Sequence, residues 1–115
     1  SVLVQINIAA EEQKAGLDVI DAEATVISWM ERFPSLRFEG LMTMAPNWPA
    51  EQCRPVFGKL RQLRSSIQNH LSTEDSQRFR HLSMGMSGDW EVAVEEGSTL
   101  LRIGTALYLA PEEKT

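Results

Sequence analysis

The stretch Leu82–Tyr108, LSMGMSGDWEVAVEEGSTLLRIGTALY, decides how this chain is read. Two apolar, strand-like runs are each accompanied by a turn of small residues: Ser83-Met84-Gly85-Met86-Ser87 with the first, Gly104-Thr105 with the second. Between them lies a short amphipathic helix that Gly97 stops, since glycine accepts the left-handed backbone common at helix ends. Ser87 is the expected N-cap, with Asp89 and Glu91 near the positive end of the dipole. If the strands are parallel neighbours, both turns lie at their carboxyl ends. Backbone N–H groups and hydroxyls then converge on one anion, as in the phosphate sites after the last strands of eight-stranded β/α barrels. Arg102, between Leu101 and Ile103, adds a positive fork beside them.

Outward from that stretch the same rhythm repeats. Val2–Ile8 is a β-branched, apolar strand, and Asp18–Phe33 places Val19, Ile20, Val26, Ile27, Met30 and Phe33 on a helical face that Pro34 ends. Leu36–Met44 is the next strand. A helix from Ala50 to Leu71 buries Val56, Phe57, Leu60, Leu63, Ile67 and Leu71, with Lys59, Arg61 and Arg64 on a solvated side. A polar connection, Ser72–Gln77, leads to a strand over Phe79–Met84, and Leu100–Leu109 is the fourth. The order β-α-β-α-β-α-β with apolar strands implies a parallel sheet covered by crossover helices. The expectation is one α/β unit over residues 1–115 that forms half of a TIM-type (β/α)8 barrel, with two bare sheet edges.

The net charge of -5 argues against nucleic acid or an anionic membrane as partner. The single cysteine, Cys53, permits no internal disulfide and fits a reducing compartment. No apolar run approaches the roughly 20 residues that span a bilayer, and the first residues lack a basic n-region, so a cytoplasmic location is expected. His70 and His81 have no partner at metal-ligand or catalytic spacing. Trp29, Trp48 and Trp90 read as core or loop anchors.

Four segments carry a family resemblance: VLVQINIAAEEQKAGL (Val2–Leu17), the F-x-x-L-R-x-L helix (Phe57–Leu63), FEGLMTMAP (Phe38–Pro46) and HLSMGMSGDWEVAVEEGSTLLRIGTALY (His81–Tyr108). On these the chain resembles the carboxyl-terminal half of the YggS/PROSC family, the pyridoxal 5′-phosphate (PLP) homeostasis proteins. These are barrels of the alanine-racemase type. The resemblance implies that the four strands are the fifth to eighth and that the amino-terminal half is absent. It further implies a non-catalytic carrier or regulator of PLP supply. The family's Schiff-base lysine lies in an S-K-T/P motif that this sequence lacks. Of the three lysines here, Lys14, Lys59 and Lys114, none takes its place.

The cofactor-binding residues expected from the resemblance are Ser83, Gly85, Met86 and Ser87 in the first turn, Gly104 and Thr105 in the second, and Arg102. Arg102 would face the pyridine nitrogen and, staying protonated, keep that nitrogen an acceptor. The bland readings are a helix cap, a strand-end kink and a structural arginine paired with a carboxylate. Met42, Met44, Met84 and Met86 suit core filling, and Asn7 suits a strand end or the pocket mouth. Two other functions compete. A fold-type III PLP enzyme such as an amino-acid racemase needs a lysine and a second acid–base group, which the sole tyrosine, Tyr108, does not obviously supply. A half-barrel assembly module would pair its open edges with the missing half or a second copy.

Overall fold

The structure is a computed structural model that describes residues 1–9, 16–103 and 106–109. Its elements are β1 (Val2–Asn7), β2 (Leu17–Asp18), α1 (Val19–Arg32), β3 (Phe38–Met42), α2 (Ala50–Gln68), α3 (Thr73–Arg78), β4 (His81–Ser83), α4 (Trp90–Glu95), β5 (Leu100–Ile103) and β6 (Ala106–Leu109). They form one sheet in the order β2-β1-β3-β4-β5-β6. The four strands β1, β3, β4 and β5 are parallel and adjacent in chain order. Right-handed crossovers between strands that advance in one direction put every helix on the same face. Accordingly α1 packs on α2, and α2 on α4.

Register divides the residues between the two faces, because successive side chains alternate. Val4 pairs with Leu41 and Leu41 with Leu82, a buried row under the helices. Phe57, Leu60 and Ile67 of α2 complete that core. One residue over, Gln5, Met42, Ser83 and Leu100 form a row on the helix-free face. The register slips at the start of β3, where Gly40 sits at φ 152°. A Cβ there would lie 2.0 Å from the His81 carbonyl oxygen, so β3 and β4 approach this closely only with glycine between them.

Two buried hydroxyls tie neighbouring strands together. Thr43 Oγ1 donates to the Ile6 carbonyl at 2.8 Å, while the Thr43 N–H donates to Ser83 at 3.1 Å. Ser98 Oγ donates to the Met84 carbonyl at 2.6 Å. On the outer surface Arg54 of α2 bridges Glu51, Glu95 and Glu96, and Arg61 meets Glu96 at 3.2 Å. Arg64 donates to the Arg80 carbonyl at 2.8 Å, and burial pushes its guanidinium pKa down. Arg61 and Arg64 are thus clamps between α2 and the later units, in place of the solvated run expected of them.

Several other expectations are corrected. The run expected as a fourth strand over Leu100–Leu109 is two strands, β5 and β6, paired antiparallel. The sheet is therefore mixed, and its edges are partly covered: β6 satisfies the outer edge of β5, and β2 that of β1 at Ile6 and Asn7. Ile20, expected on the apolar face of α1, is 91% exposed. The buried stripe runs through Ala22 and Val26, with Trp29 and Met30 beside it, which turns Val19, Ile20 and Phe33 outward. The polar connection after α2 contains α3, capped by the Ser72 hydroxyl accepting the Asp75 N–H at 3.1 Å. Trp48 and Trp90 are exposed rather than buried anchors. Among the described residues, no helix is long and apolar enough to cross a membrane.

Candidate functional site

The candidate site lies at the carboxyl ends of β4 and β5. After Ser83 the chain continues extended to Met84, whose N–H donates to the Leu100 carbonyl at 3.1 Å. The next link of the ladder runs from the Arg102 N–H to the Gly85 carbonyl at 2.8 Å. Gly85 is thereby fixed against the Arg102 backbone. Its φ of 105° turns the chain away, and its α-carbon is crowded: an added Cβ would be 2.7 Å from the Ala93 Cβ and 2.9 Å from Leu101 Cδ2. The sequence needs glycine here for conformation and for space alike.

Leu101 is buried against Gly85 on the helix side, so alternation sends the Arg102 side chain to the helix-free face. Ser83 faces the same way through its pairing with Leu100. Arg102 is half-buried and forms no ion pair among the described residues. The structural-arginine reading, which requires a carboxylate partner, thus finds none there. Ser83 is buried, whereas Met86 and Ser87 are exposed at the tip of the turn.

The turn closes differently from expectation. Ser87 does not cap α4; the residue before that helix is Asp89, and its side chain makes no capping bond. Instead Asp89 Oδ1 accepts the Met86 N–H at 2.7 Å, and the Asp89 N–H donates back to Met86 at 3.2 Å. A separate tight turn therefore precedes the helix. Among the described residues the N–H groups of Ser87 and Gly88 take no hydrogen-bond partner. Since α4 has only six residues, the donors for an anion come from this turn more than from a helix dipole.

The structure thus brings together Ser83, Gly85, Met86, Ser87 and Arg102. Gly104 and Thr105, expected as the second half of the cup, lie outside the described residues. Of the methionines, Met84 is fully buried core, Met42 and Met44 are half-buried, and Met86 is 40% exposed. Asn7 ends β1 opposite Asp18 of β2. Lys59 lies exposed on α2. Among the described residues no group of three histidine, cysteine or acidic side chains is placed to hold a metal ion. His81 Nδ1 sits 3.0 Å from Thr99 Oγ1, and Glu23 receives the Ser66 hydroxyl with His70 3.5 Å away. Asp89 and the ties made by Thr43 and Ser98 were not legible as site-forming residues. The S-G-D spacing offered a signal for Asp89, but equally for a helix cap.

A run of adjacent parallel strands, with helices packed on one another over the buried face and a glycine turn after β4, defines an α/β domain with a mostly parallel sheet. The comparisons agree. The family model for the alanine racemase N-terminal domain matches residues 1–111, and the chain belongs to that family. A pyridoxal phosphate homeostasis protein of Aquifex aeolicus is 41% identical over 93% of this chain and 45% of its own length. The human protein of the same name is 38% identical over 93% of this chain and 39% of its own. PipY of Synechococcus elongatus, solved without PLP, superposes with a TM-score of 0.77 at 32% identity, covering 90% of this chain and 46% of PipY; it has also been solved with PLP bound. The chain spans about half the length of the curated relatives it matches. The matching model is named for an amino-terminal domain and numbers no strands. The expected description as a carboxyl-terminal half, strands five to eight, gives way to the coarser one: an α/β fold with a mostly parallel sheet, belonging to this domain family. The relatives quoted are named for homeostasis, not for a catalysed reaction.

Proposed function

We propose that the chain recognises PLP through its phosphate and pyridine ends and does no covalent chemistry with it. The observation that carries this reading is the Arg102 N–H bond to the Gly85 carbonyl at 2.8 Å. It fixes a glycine turn with unpaired N–H groups beside an arginine that shares a face with Ser83. The N–H groups of Ser87 and Gly88, with the hydroxyls of Ser83 and Ser87, hold the phosphate; Gly104 and Thr105 complete the cup. Met86 covers the ring, and Arg102 donates to the pyridine nitrogen. When bound, PLP supplies an aldehyde and an electron-withdrawing ring. The Arg102 guanidinium leaves the ring nitrogen unprotonated and the ring a weaker electron sink, which suits storage better than turnover.

None of Lys14, Lys59 and Lys114 takes the place of the family's Schiff-base lysine, so the part that these residues play is noncovalent recognition of PLP, in keeping with a carrier role. The single buried Cys53 and the acidic charge support a cytoplasmic setting without nucleic acid. The test is a titration with PLP, pyridoxal and inorganic phosphate. PLP should bind in competition with phosphate. Arg102→Leu should weaken PLP and pyridoxal by about 10–100-fold, the worth of a hydrogen bond to a charged group, and leave phosphate unchanged. Binding of PLP that phosphate does not displace would refute the cup.

A second reading, assembly through an open edge, has its own observation. Among the described residues no strand pairs with the outer edge of β1 along Val2–Gln5, since β2 pairs only at Ile6 and Asn7. An apolar groove of about 520 Å³ runs beside it, lined by Leu3, Leu17, Trp29, Phe33, Leu36 and Phe38. Such an edge is a template for strand addition by a second copy or by the remaining barrel strands. Light scattering decides: assembly predicts a dimer or larger species that Leu3→Lys on this edge returns to monomer. A monomer at every concentration sinks it.

A further inference from the structure

Asp89 has no assigned part in recognition, yet it makes the shortest hydrogen bond in the turn. Its Oδ1 takes the Met86 N–H at 2.7 Å. Its charge also reaches the buried Cys53 thiol, whose pKa is pushed up first by burial and then by Asp89. Cys53 Sγ in turn lies 3.8 Å from the carbonyl oxygens of Pro46 and Trp48, in the loop that follows β3.

We infer that Asp89 is a positioning residue for phosphate recognition: by taking the Met86 N–H it holds the turn open, so that the Ser87 and Gly88 N–H groups face the anion together. This rests on the proposed PLP reading. Without the bond, Met86 N–H competes for the ligand or for water, and the turn loses the shape that Gly85 starts. The acceptor matters and the charge does not, because the bonded group is a neutral amide. Asparagine at this position keeps an oxygen in the same place and removes a negative charge next to an anion site.

The experiment is binding of PLP, inorganic phosphate and pyridoxal to the full chain and its Asp89 variants, with the Met86 backbone amide followed by NMR in the absence of ligand. Asp89→Ala should weaken PLP and phosphate by about 10-fold, the loss of one hydrogen bond that shapes the turn. Pyridoxal, which has no phosphate, should be unaffected. Asp89→Asn should restore PLP binding to within about threefold of the parent chain. Equal loss of PLP and pyridoxal in Asp89→Ala would show a merely structural role and overturn the inference. If Asp89→Ala does not fold, Asp89→Glu moves the acceptor by one methylene while keeping the charge. It should then weaken phosphate, and parent-like binding by Asp89→Glu with loss in Asp89→Asn would overturn the inference. If the parent chain binds neither PLP nor phosphate, the proposed function fails by itself. An Met86 amide unchanged between parent and Asp89→Asn but shifted in Asp89→Ala still supports the positioning bond, and one unmoved in Asp89→Ala overturns it.

Discussion

Replacing Gly85 by alanine should damage the protein more than any other single-methyl addition in the candidate site. The left-handed φ of 105° costs a residue with a Cβ about 1–2 kcal/mol. The methyl would also meet the Ala93 Cβ at 2.7 Å and Leu101 Cδ2 at 2.9 Å. Ala93 and Leu101 are both buried, so neither can swing away into solvent. Overpacking of this kind costs about 1–3 kcal/mol. The total, about 2–5 kcal/mol, is large beside a typical domain stability of about 5–15 kcal/mol. In urea it should lower the unfolding midpoint by about 1–3 M. Gly88→Ala is the internal control: nothing lies within 4 Å of its added Cβ, so stability should hold to about 0.5 kcal/mol. A Gly85→Ala chain as stable as Gly88→Ala, with unchanged phosphate binding, would refute the reading of this turn as a conformationally fixed cradle.

Gly40→Ala should be worse for folding, because its Cβ would lie 2.0 Å from a carbonyl oxygen that belongs to the sheet; loss of cooperative unfolding by circular dichroism is the expected result. Ser98→Ala should cost about 1–3 kcal/mol in urea unfolding, since it strands the buried Met84 carbonyl. Acid should weaken the fold through carboxylates held below their ordinary range: Glu51 by its bond from Arg54, and Glu39 by its bond from the Ser1 hydroxyl. A lowered folded-state pKa gives stability that is present above the unfolded value, about 4.3 for glutamate, and lost as pH falls through the folded one. Urea midpoints should therefore drop below about pH 4, and Arg54→Ala should flatten that limb. The Cys53 thiol, buried and held protonated, should react with disulfide reagents at pH 8 only as fast as the chain opens; prompt labelling of the native state would contradict its placement.

The sequence made the parallel core legible because its signals are local and redundant. Apolar runs such as Val2–Ile8, separated by helices with Val26 or Phe57 and Leu60 on one face, admit few arrangements. Gly97 marked a left-handed helix stop, which the structure bears out, and Gly85 of SMGMS sits at a positive φ as well. What failed depended on competition between partners. Ser87 and Asp89 are both good caps by type, and only the folded turn shows Asp89 spending its carboxylate on Met86. Ile20 and Val19 fit a helical stripe, but the helix begins so soon after β2 that its first turn overhangs the sheet. Leu100–Leu109 reads as one strand because its apolar run is nearly continuous, and a Gly-x pair within such a run suits a strand-end turn as well as a hairpin. Arg61 and Arg64 looked solvated since their acceptors, Glu96 and the Arg80 carbonyl, lie far along the chain. Ser72 and Asp75 did carry a readable cap signature for α3.

The central claim, recognition of PLP without a covalent lysine, is tested most directly by borohydride trapping. The chain is equilibrated with PLP, reduced, and digested for mass spectrometry, with a parallel unreduced sample titrated against inorganic phosphate. The account predicts PLP binding that phosphate competes away, and no stoichiometric pyridoxyl adduct on Lys14, Lys59 or Lys114. A single lysine labelled to one equivalent would contradict it.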